Sequence, residues 1–185
     1  MDKNLKIVCL GDSITWGFPF GPDYSWTCLL EETLKAPIIN KGINGNTTTE
    51  MNQRFDRDVI KHQPTHVIIM GGANDIVLAE SHDRIIWNYR EMVKKAQQAG
   101  INVIFGLPTP IDDDYYEKLL KKLRDWMIAF ADENKFKIID FTAAFYDEHG
   151  RLRLELLLAD GAHPASAGYI EMFKQIDVSI FSSSS

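Results

Sequence analysis

Two short segments at opposite ends of the chain carry the residue types that nucleophilic acyl transfer needs. Ser13 follows Gly11 and Asp12 near the start, and Asp160 and His163 lie close together near the end. A serine hydroxyl attacks a carbonyl only when a base removes its proton, and an anion must hold that base in the correct tautomer. His163 has the chemistry of the base, and Asp160, three residues earlier, can reach its far ring nitrogen across a tight loop. Because most of the chain separates Ser13 from His163, only the fold can join them.

Two further segments offer the hydrogen-bond donors that such a reaction requires. Gly45 lies in NKGINGNT, residues 40–47, and Asn74 lies in GGAND, residues 71–75. Attack on a carbonyl creates a negative oxygen, which nearby donors must stabilise. A glycine N–H can approach closely because no side chain intervenes, and an asparagine amide donates without adding charge. We therefore expect Gly45, Asn74 and the N–H of Ser13 itself to form an oxyanion hole.

Taken together, these segments resemble the four sequence blocks of the SGNH hydrolases, also called GDSL esterases or lipases. The blocks stand in the family's order and are GDSIT at 11–15, the Gly45 segment, GAND at 72–75 and DGAHP at 160–164. Each is a short pattern by itself, but the four together are specific. The resemblance implies that Ser13 is the nucleophile and that Asp160 orients His163 as the base. It also implies that Gly45 and Asn74 donate to the oxyanion.

Apolar, β-branched runs alternate with helical periodicity along the chain. Five runs are predicted as strands, at residues 6–10, 37–40, 66–70, 102–106 and 136–140. Five segments are predicted as helices, at residues 25–35, 47–62, 83–99, 113–134 and from Pro164 to about residue 178. Continuous apolar strands are typical of a parallel sheet that is covered on both faces. The pattern therefore predicts an α/β protein with three layers, α/β/α.

This alternation favours a flavodoxin-like, doubly wound parallel sheet of five strands in the order 2-1-3-4-5. The family resemblance implies the same order. In such a sheet the ligand crevice opens at the carboxyl ends of strands 1 and 3, where the strand order reverses. Ser13 follows strand 1, Gly45 follows strand 2 and Asn74 follows strand 3. The loop before the last helix must then bring His163 over the same edge.

Aromatic side chains crowd the segment that follows Ser13, and they predict where substrate binds. The predicted substrate-binding residues are Trp16, Phe18, Phe20, Leu107 and Pro108, the last two as a stiff rim wall after strand 4. Trp26 is expected to pack in the core instead. The connecting loops are short and contain no insert long enough for a lid. We therefore expect an open site that accepts small or short-chain acyl esters.

The composition is that of an ordinary globular domain, with 45% hydrophobic and 25% charged residues among 185. This length predicts a single domain over residues 1–181, followed by a flexible serine tail at 182–185. The net charge of −6 argues against nucleic acid or an anionic membrane as the main partner. The apolar run near the start, about five residues long, is too short for a signal peptide or a membrane span, so we expect a cytoplasmic protein without stable membrane association. The sequence carries no prediction of the oligomeric state.

Metal and nucleotide chemistry have no supporting motif. His62 and His66 have a metal-like spacing, but Pro64 breaks any helix that would align them. No glycine-rich phosphate loop is present, so we expect neither a metal nor a cofactor. The predicted activity is hydrolysis of a small-molecule carboxylic ester by a serine esterase. Alternatives with the same five residues are acyl transfer to an alcohol, lysophospholipase activity and thioesterase activity, and the intact set argues against a binding module that has lost catalysis.

Overall fold

The computed structural model describes residues 5–181 and contains a five-stranded parallel sheet between two layers of helices. The strands, β1 to β5 in chain order, are Ile7–Gly11, Ile38–Gly42, His66–Met70, Asn102–Gly106 and Lys137–Ile139. Each neighbouring pair is parallel, and the lateral order is β2-β1-β3-β4-β5. The predicted fold class and strand order are therefore confirmed. The predicted serine tail at 182–185 lies outside the described residues.

Short and long helices connect the strands. The helices of the described chain, α1 to α8, are Ser13–Trp16, Trp26–Leu34, Thr48–Gln53, Phe55–Asp58, Ala73–Val77, His82–Gln98, Asp114–Asn134 and Ser166–Lys174. Single 3₁₀ turns lie at Pro22–Tyr24, Ile60–His62, Phe141–Phe145, Leu154–Leu156 and Val178–Phe181. Ser25, the first residue of the helix predicted at 25–35, caps α2 by accepting a hydrogen bond from the Thr27 N–H. None of the helices in residues 5–181 combines the length and the apolar character needed to cross a membrane.

The two cores lie on opposite faces of the sheet because successive side chains of a strand point in opposite directions. Ile7 and Cys9 of β1 face the layer of α2 and α8, where Trp26 is fully buried as predicted. Val8 and Leu10 face the layer of α3, α6 and α7. Both faces of the central strands are thus covered, which explains why their sequences are apolar without alternation.

The predicted helix at 47–62 is wrong as a continuous element. It is divided into α3, α4 and a 3₁₀ turn, and the first break falls at Arg54, where φ is −94° and ψ is 2°. Arginine is a good helix former, so local propensity does not explain the break. Instead, the Arg54 side chain turns inward and donates to the carbonyl oxygens of Gly11 and Lys41. A tertiary contact therefore overrides the helical pattern here.

The last helix also differs from its prediction, because it begins at Ser166 rather than at Pro164. The segment before it pairs with residues 156–158 instead. The Leu158 N–H donates to the His163 carbonyl, and the Ala165 N–H donates to the Leu156 carbonyl, each at 2.8 Å. Pro164 lies between these two bonds in an isolated antiparallel bridge with Leu157, which holds it in extended geometry. The helix ends at Lys174, earlier than predicted.

We expect Tyr89→Phe to lower the free energy of unfolding by about 2 kcal/mol, because it leaves two buried polar groups without their partner. The buried Tyr89 hydroxyl accepts from the Gly71 N–H at 3.1 Å and donates to the Gly71 carbonyl at 2.9 Å. Tyr115→Phe, on the exposed face of α7, is the matched control and should change the stability by less than about 0.5 kcal/mol. Chemical denaturation of the three proteins makes the comparison, and equal stability of Tyr89→Phe and wild type would contradict the expectation.

Candidate active site

Ser13 lies where β1 ends and α1 begins, at the crevice edge of the sheet. The capping role at this junction falls to Asp12, whose carboxylate accepts the Ile14 N–H at 2.9 Å. Ser13 is therefore the first helical residue, and its Oγ is available for a contact outside the helix. The first N–H groups of a helix have no partner within it, so the Ser13 N–H makes no hydrogen bond inside α1.

The structure brings Ser13, His163 and Asp160 together in one hydrogen-bonded chain. Ser13 Oγ lies 2.9 Å from His163 Nε2, although the two residues are 150 positions apart. His163 Nδ1 lies 2.6 Å from Asp160 Oδ2. The other carboxylate oxygen, Asp160 Oδ1, accepts the N–H groups of Ala162 and His163, both at 3.0 Å. Gly161 has a φ of +71°, which lets the loop turn tightly enough for Asp160 to reach the histidine ring.

Neighbouring segments hold this loop in place. The Asp112 N–H donates to the Gly161 carbonyl at 2.8 Å. On the other side, the Phe18 ring lies 4.6 Å from the His163 ring, centroid to centroid. The Phe18 backbone is itself fixed, because its carbonyl accepts the hydroxyl of Tyr169 at 2.8 Å. The imidazole is thus confined between Phe18 and Ser13.

Asp160 is stabilised as an anion beside the imidazole. Partial burial acts to raise the pKa of Asp160, but the N–H groups of His163 and Ala162 and the histidine ring outweigh burial and hold that pKa below its usual value. A carboxylate against Nδ1 favours the tautomer with its proton on that nitrogen. Nε2 is then the acceptor that faces Ser13 Oγ, which is the arrangement a general base requires.

Asn74 and the Gly45 loop are also brought together. Asn74 is on α5, directly after β3, and its Nδ2 donates to the carbonyl of Asn46 at 2.9 Å. An amide nitrogen carries two protons, so the second remains available to a ligand. Gly45 lies in an exposed turn that the Asn46 N–H closes by bonding to the Ile43 carbonyl, and its φ of +77° suits glycine. Asn74 and the loop that carries Gly45 therefore have a fixed relative position.

The buried carboxylate of Asp75, which the sequence analysis did not identify, supports the contact between Asn74 and the Gly45 loop. Asp75 accepts the Thr48 N–H at 2.9 Å and the Thr48 hydroxyl at 2.5 Å, and Asn88 donates to that hydroxyl at 3.0 Å. Burial raises the pKa of Asp75, and the bonds from Thr48 oppose the rise. The only signal in the sequence is an acidic residue directly after Asn74, within the GAND motif. Asp75 joins the start of α3 to α5 and so links the Gly45 loop to Asn74.

A cavity of about 410 Å³ opens beside Ser13, Asn74 and His163. Apolar and aromatic side chains supply much of its lining, and they are Ile14, Ala73, Val77, Ile111, Tyr116 and Ala162. Acidic residues interrupt this apolar surface, and they are Asp12, Asp112, Asp113 and Asp160. The space next to Ser13 is therefore small and of mixed character.

Leu107 and Pro108 do not form the rim wall that the sequence predicts. Leu107 is 3% exposed and packs in the core, because its N–H continues the β4–β5 ladder by bonding to the Ile139 carbonyl at 2.9 Å. Pro108 is buried as well. Thr109 and Ile111, a little further along the same loop, line the cavity instead.

The aromatic residues predicted to bind substrate lie beside the cavity rather than on its wall. Phe18 packs against His163, as described above. Phe20 is 39% exposed and packs against Tyr24, with ring centroids 6.3 Å apart. Trp16 is half-buried at the end of α1. Their contact with substrate stays a prediction.

Asp12 is a second acid next to the nucleophile, and it is almost fully buried, with 3% of its surface exposed. Burial raises the pKa of Asp12 to about 6, although the Ile14 N–H and the nearby His163 act to lower it. The buried Asp75 adds to the rise. Asp12 therefore titrates at a higher pH than an ordinary aspartate.

Comparison with known proteins gives consistent matches along most of the chain. The sequence profile of the GDSL-like Lipase/Acylhydrolase family matches residues 9–169. An arylesterase from Vibrio mimicus is 26% identical over 164 residues, which are 86% of this chain and 80% of the relative. An acetylxylan esterase from Geobacillus stearothermophilus is 27% identical over 146 residues, which are 72% of this chain and 67% of the relative. A solved structure described as a lipolytic protein of the G-D-S-L family from Desulfitobacterium hafniense DCB-2 is 30% identical, with a TM-score of 0.86 over 93% of this chain and 97% of that one.

We expect Asp12→Asn to increase the free energy of unfolding by more at about pH 7 than at about pH 4. The difference between the two increases should be roughly 2 kcal/mol. A carboxyl whose pKa is higher in the folded state favours folding when protonated. That favourable contribution is present below the unfolded pKa and is lost as the pH rises through the folded pKa, here from about 3.8 to about 6. Asparagine carries no charge and keeps an oxygen that accepts the Ile14 N–H.

Denaturation of wild type and Asp12→Asn at the two pH values measures this difference. Asp56→Asn, at an exposed position on α4, is the control for a change of net charge. If the two proteins differ in free energy of unfolding by the same amount at both pH values, Asp12 does not titrate in this window.

Proposed function

The chain belongs to the GDSL-like lipase/acylhydrolase family and is an ester hydrolase, and we propose that Ser13, His163 and Asp160 carry out its reaction. The observation that carries the proposal is the unbroken chain of contacts from Ser13 Oγ to His163 Nε2 at 2.9 Å and from His163 Nδ1 to Asp160 at 2.6 Å. A nucleophile, a base and an orienting anion within hydrogen-bond reach are what acyl transfer requires.

In the first half of the proposed reaction, His163 Nε2 takes the proton of Ser13 as Oγ attacks the ester carbonyl. The Asp160 carboxylate stabilises the imidazolium that forms. The tetrahedral intermediate then collapses, the C–O bond to the alcohol breaks, and His163 returns the proton to the departing alkoxide. The products of this half are the free alcohol and an acyl ester on Ser13.

In the second half, water takes the place of the alcohol. His163 removes a proton from water as the water oxygen attacks the acyl-enzyme carbonyl. The same proton then goes to Ser13 Oγ as the acyl–serine bond breaks. The carboxylic acid leaves and the free enzyme is restored. An alcohol that occupied the place of water would be acylated instead, so hydrolysis in the presence of added alcohol reports how the acyl-enzyme partitions.

We assign the oxyanion hole to the Ser13 N–H, the Gly45 N–H and the Asn74 side-chain amide. Each of these groups follows a different strand, β1, β2 or β3, at the carboxyl edge of the sheet. The bond from Asn74 to Asn46 supports the assignment, because it leaves one amide proton available and holds Asn74 against the Gly45 loop. Donors fixed in advance stabilise the developing charge without reorganisation during the reaction.

The proposed substrates are esters with a small or short acyl group. A long acyl chain gains about 0.8 kcal/mol for each methylene that it buries against apolar surface. In the cavity beside Ser13, Asp112 and Asp113 occupy part of the wall that such a chain would need. The acetyl group in the name of one relative, the acetylxylan esterase, is in keeping with a small acyl group.

The proposal also includes three predictions from the sequence: a single domain over residues 1–181, action without a metal or cofactor, and a cytoplasmic location. Limited proteolysis tests the first, since a single domain resists cleavage as a unit. Full activity after dialysis against a chelator tests the second. Fractionation of the native cells tests the third.

Ser13→Ala should lower kcat for p-nitrophenyl acetate by about a thousandfold or more, because no other group can form the acyl-enzyme. The fold should persist, since the change removes one oxygen at a helix start. Reaction with a fluorophosphonate probe, followed by mass spectrometry, gives a second readout: wild type is labelled at residue 13 and Ser13→Ala is not. Ser166→Ala, at the exposed start of α8, is the control. A Ser13→Ala protein with the wild-type rate would refute the proposed mechanism.

We expect kcat/KM for p-nitrophenyl esters to be highest between acetate and butyrate and to fall for octanoate and palmitate. The leaving group is the same throughout this series, so the comparison isolates the acyl chain. The fall follows from the small volume of the cavity and from the acidic residues that interrupt its apolar wall. A kcat/KM that rises steadily toward long chains would instead indicate an apolar channel, for which Phe18 and Phe20 are the nearest candidates.

A further inference from the structure

Arg54 is a buried cation outside the proposed catalytic set, with 7% of its surface exposed. Its guanidinium donates four hydrogen bonds. Nε donates to Asn46 Oδ1 at 2.7 Å, and Nη2 donates to the Gly11 carbonyl at 2.7 Å. Nη1 donates to the Lys41 carbonyl at 2.9 Å and to Asp58 Oδ2 at 3.0 Å. Four of the five N–H groups of the side chain are thus used, and three of them reach other segments of the chain.

The three acceptors on other segments are the carbonyl groups of Gly11 and Lys41 and the side chain of Asn46. Each of them lies close in sequence to a residue that supplies a proposed oxyanion donor. Gly11 is the end of β1, two residues before Ser13. Lys41 is near the end of β2, on the path to Gly45. Asn46 directly follows Gly45, and its own carbonyl accepts the Asn74 amide at 2.9 Å. Arg54 therefore contacts the Ser13 and Gly45 segments directly and Asn74 through Asn46.

The charge of Arg54 is balanced without solvent. Burial lowers the pKa of Arg54, and the ion pair with Asp58 opposes that effect. Arg57 forms a second, exposed ion pair with Asp58 at 2.7 Å but donates to no part of the oxyanion segments. Burying a charged pair is costly unless its hydrogen bonds are satisfied. Here they are satisfied by backbone and amide oxygens of the segments around the site.

We propose that Arg54 is a positioning residue that sets the spacing of the three oxyanion donors, Ser13 N–H, Gly45 N–H and the Asn74 amide. This inference rests on the proposed function. The donors come from three separate loops, and a stabilising hole requires each of them to lie within a few tenths of an ångström of its working position. A planar guanidinium can bridge several oxygens in fixed directions, whereas a lysine ammonium acts as a single point. Arg54 thus holds the oxyanion donors in position, and the turn at Asp160 holds the His163 ring in position.

The first test is Arg54→Lys, which keeps the charge and loses the planar bridge. We expect kcat for p-nitrophenyl acetate to fall by about tenfold to a hundredfold, because donor positions matter most in the transition state. KM should change little. The dependence of kcat/KM on pH should keep its shape, because His163 and Asp160 are untouched. Arg57→Gln removes another, exposed ion-pair partner of Asp58 and is the matched control, with the wild-type rate expected.

A double-mutant cycle separates positioning from general damage to the fold. If Arg54 acts through the oxyanion donors, its loss and the loss of Asn74 affect the same stabilisation. The double variant Arg54→Lys/Asn74→Ala should then be slower than Asn74→Ala by less than the factor that Arg54→Lys alone produces, because one of the three donors that Arg54 positions is already lost. Independent structural damage would multiply the two factors in full.

Asn46→Ala provides a second route if Arg54→Lys does not fold. It removes the side-chain acceptor of Arg54 Nε and keeps the backbone carbonyl that holds Asn74, so a smaller fall in kcat at unchanged KM is expected. The inference is overturned if Arg54→Lys, or Asn46→Ala in its place, has the same kcat as Arg57→Gln. It is also overturned if the falls in kcat caused by Arg54→Lys and Asn74→Ala multiply in full in the double variant. A wild-type protein that hydrolyses no ester would overturn the proposed function itself, which is a distinct result.

Discussion

The contact between Ser13 Oγ and His163 Nε2 joins α1 to the loop before α8, and much of the structure serves to hold these atoms 2.9 Å apart. On one side, β1 ends at the crevice edge and Asp12 caps the short helix that presents Ser13. On the other, the Asp160–His163 turn is tied to Asp112 and confined by Phe18. Neither side depends on the other locally, so their distance is set by the sheet and its two helical layers.

Much of this could be predicted from the sequence, because parallel strands and their order impose where loops meet. Ser13, Gly45 and Asn74 each follow a strand directly, and the order 2-1-3-4-5 is enough to bring those strand ends side by side. What failed was local structure that long-range contacts determine. The helix break at Arg54 depends on carbonyl groups far along the chain, and the extended Pro164 depends on pairing with residues 156–158. A pattern of hydrophobicity carries no information on such contacts.

The residues that the sequence did not reveal are mostly buried and charged. Asp12, Arg54, Asp58 and Asp75 are each less than a tenth exposed, and they are hydrogen-bonded to the segments that follow the strand ends or to one another. Burying such groups opposes folding unless every bond is satisfied. Their position is thus informative: the sheet core is apolar throughout, whereas the layer under the strand ends is polar and hydrogen-bonded. This layer transmits the position of one loop to the next, and an apolar layer could not do so with the same directionality.

The Asp160–His163 turn is a local unit, since four consecutive residues supply both the carboxylate and the ring, and Gly161 allows the turn to close. The unit therefore keeps its internal geometry whatever its distance from Ser13. Any displacement of this turn relative to β1 would carry the imidazole and its carboxylate away from Ser13 together. The contact between Ser13 and His163 is therefore the joint between two separately built parts, and the distance across it can change without altering the internal geometry of either part.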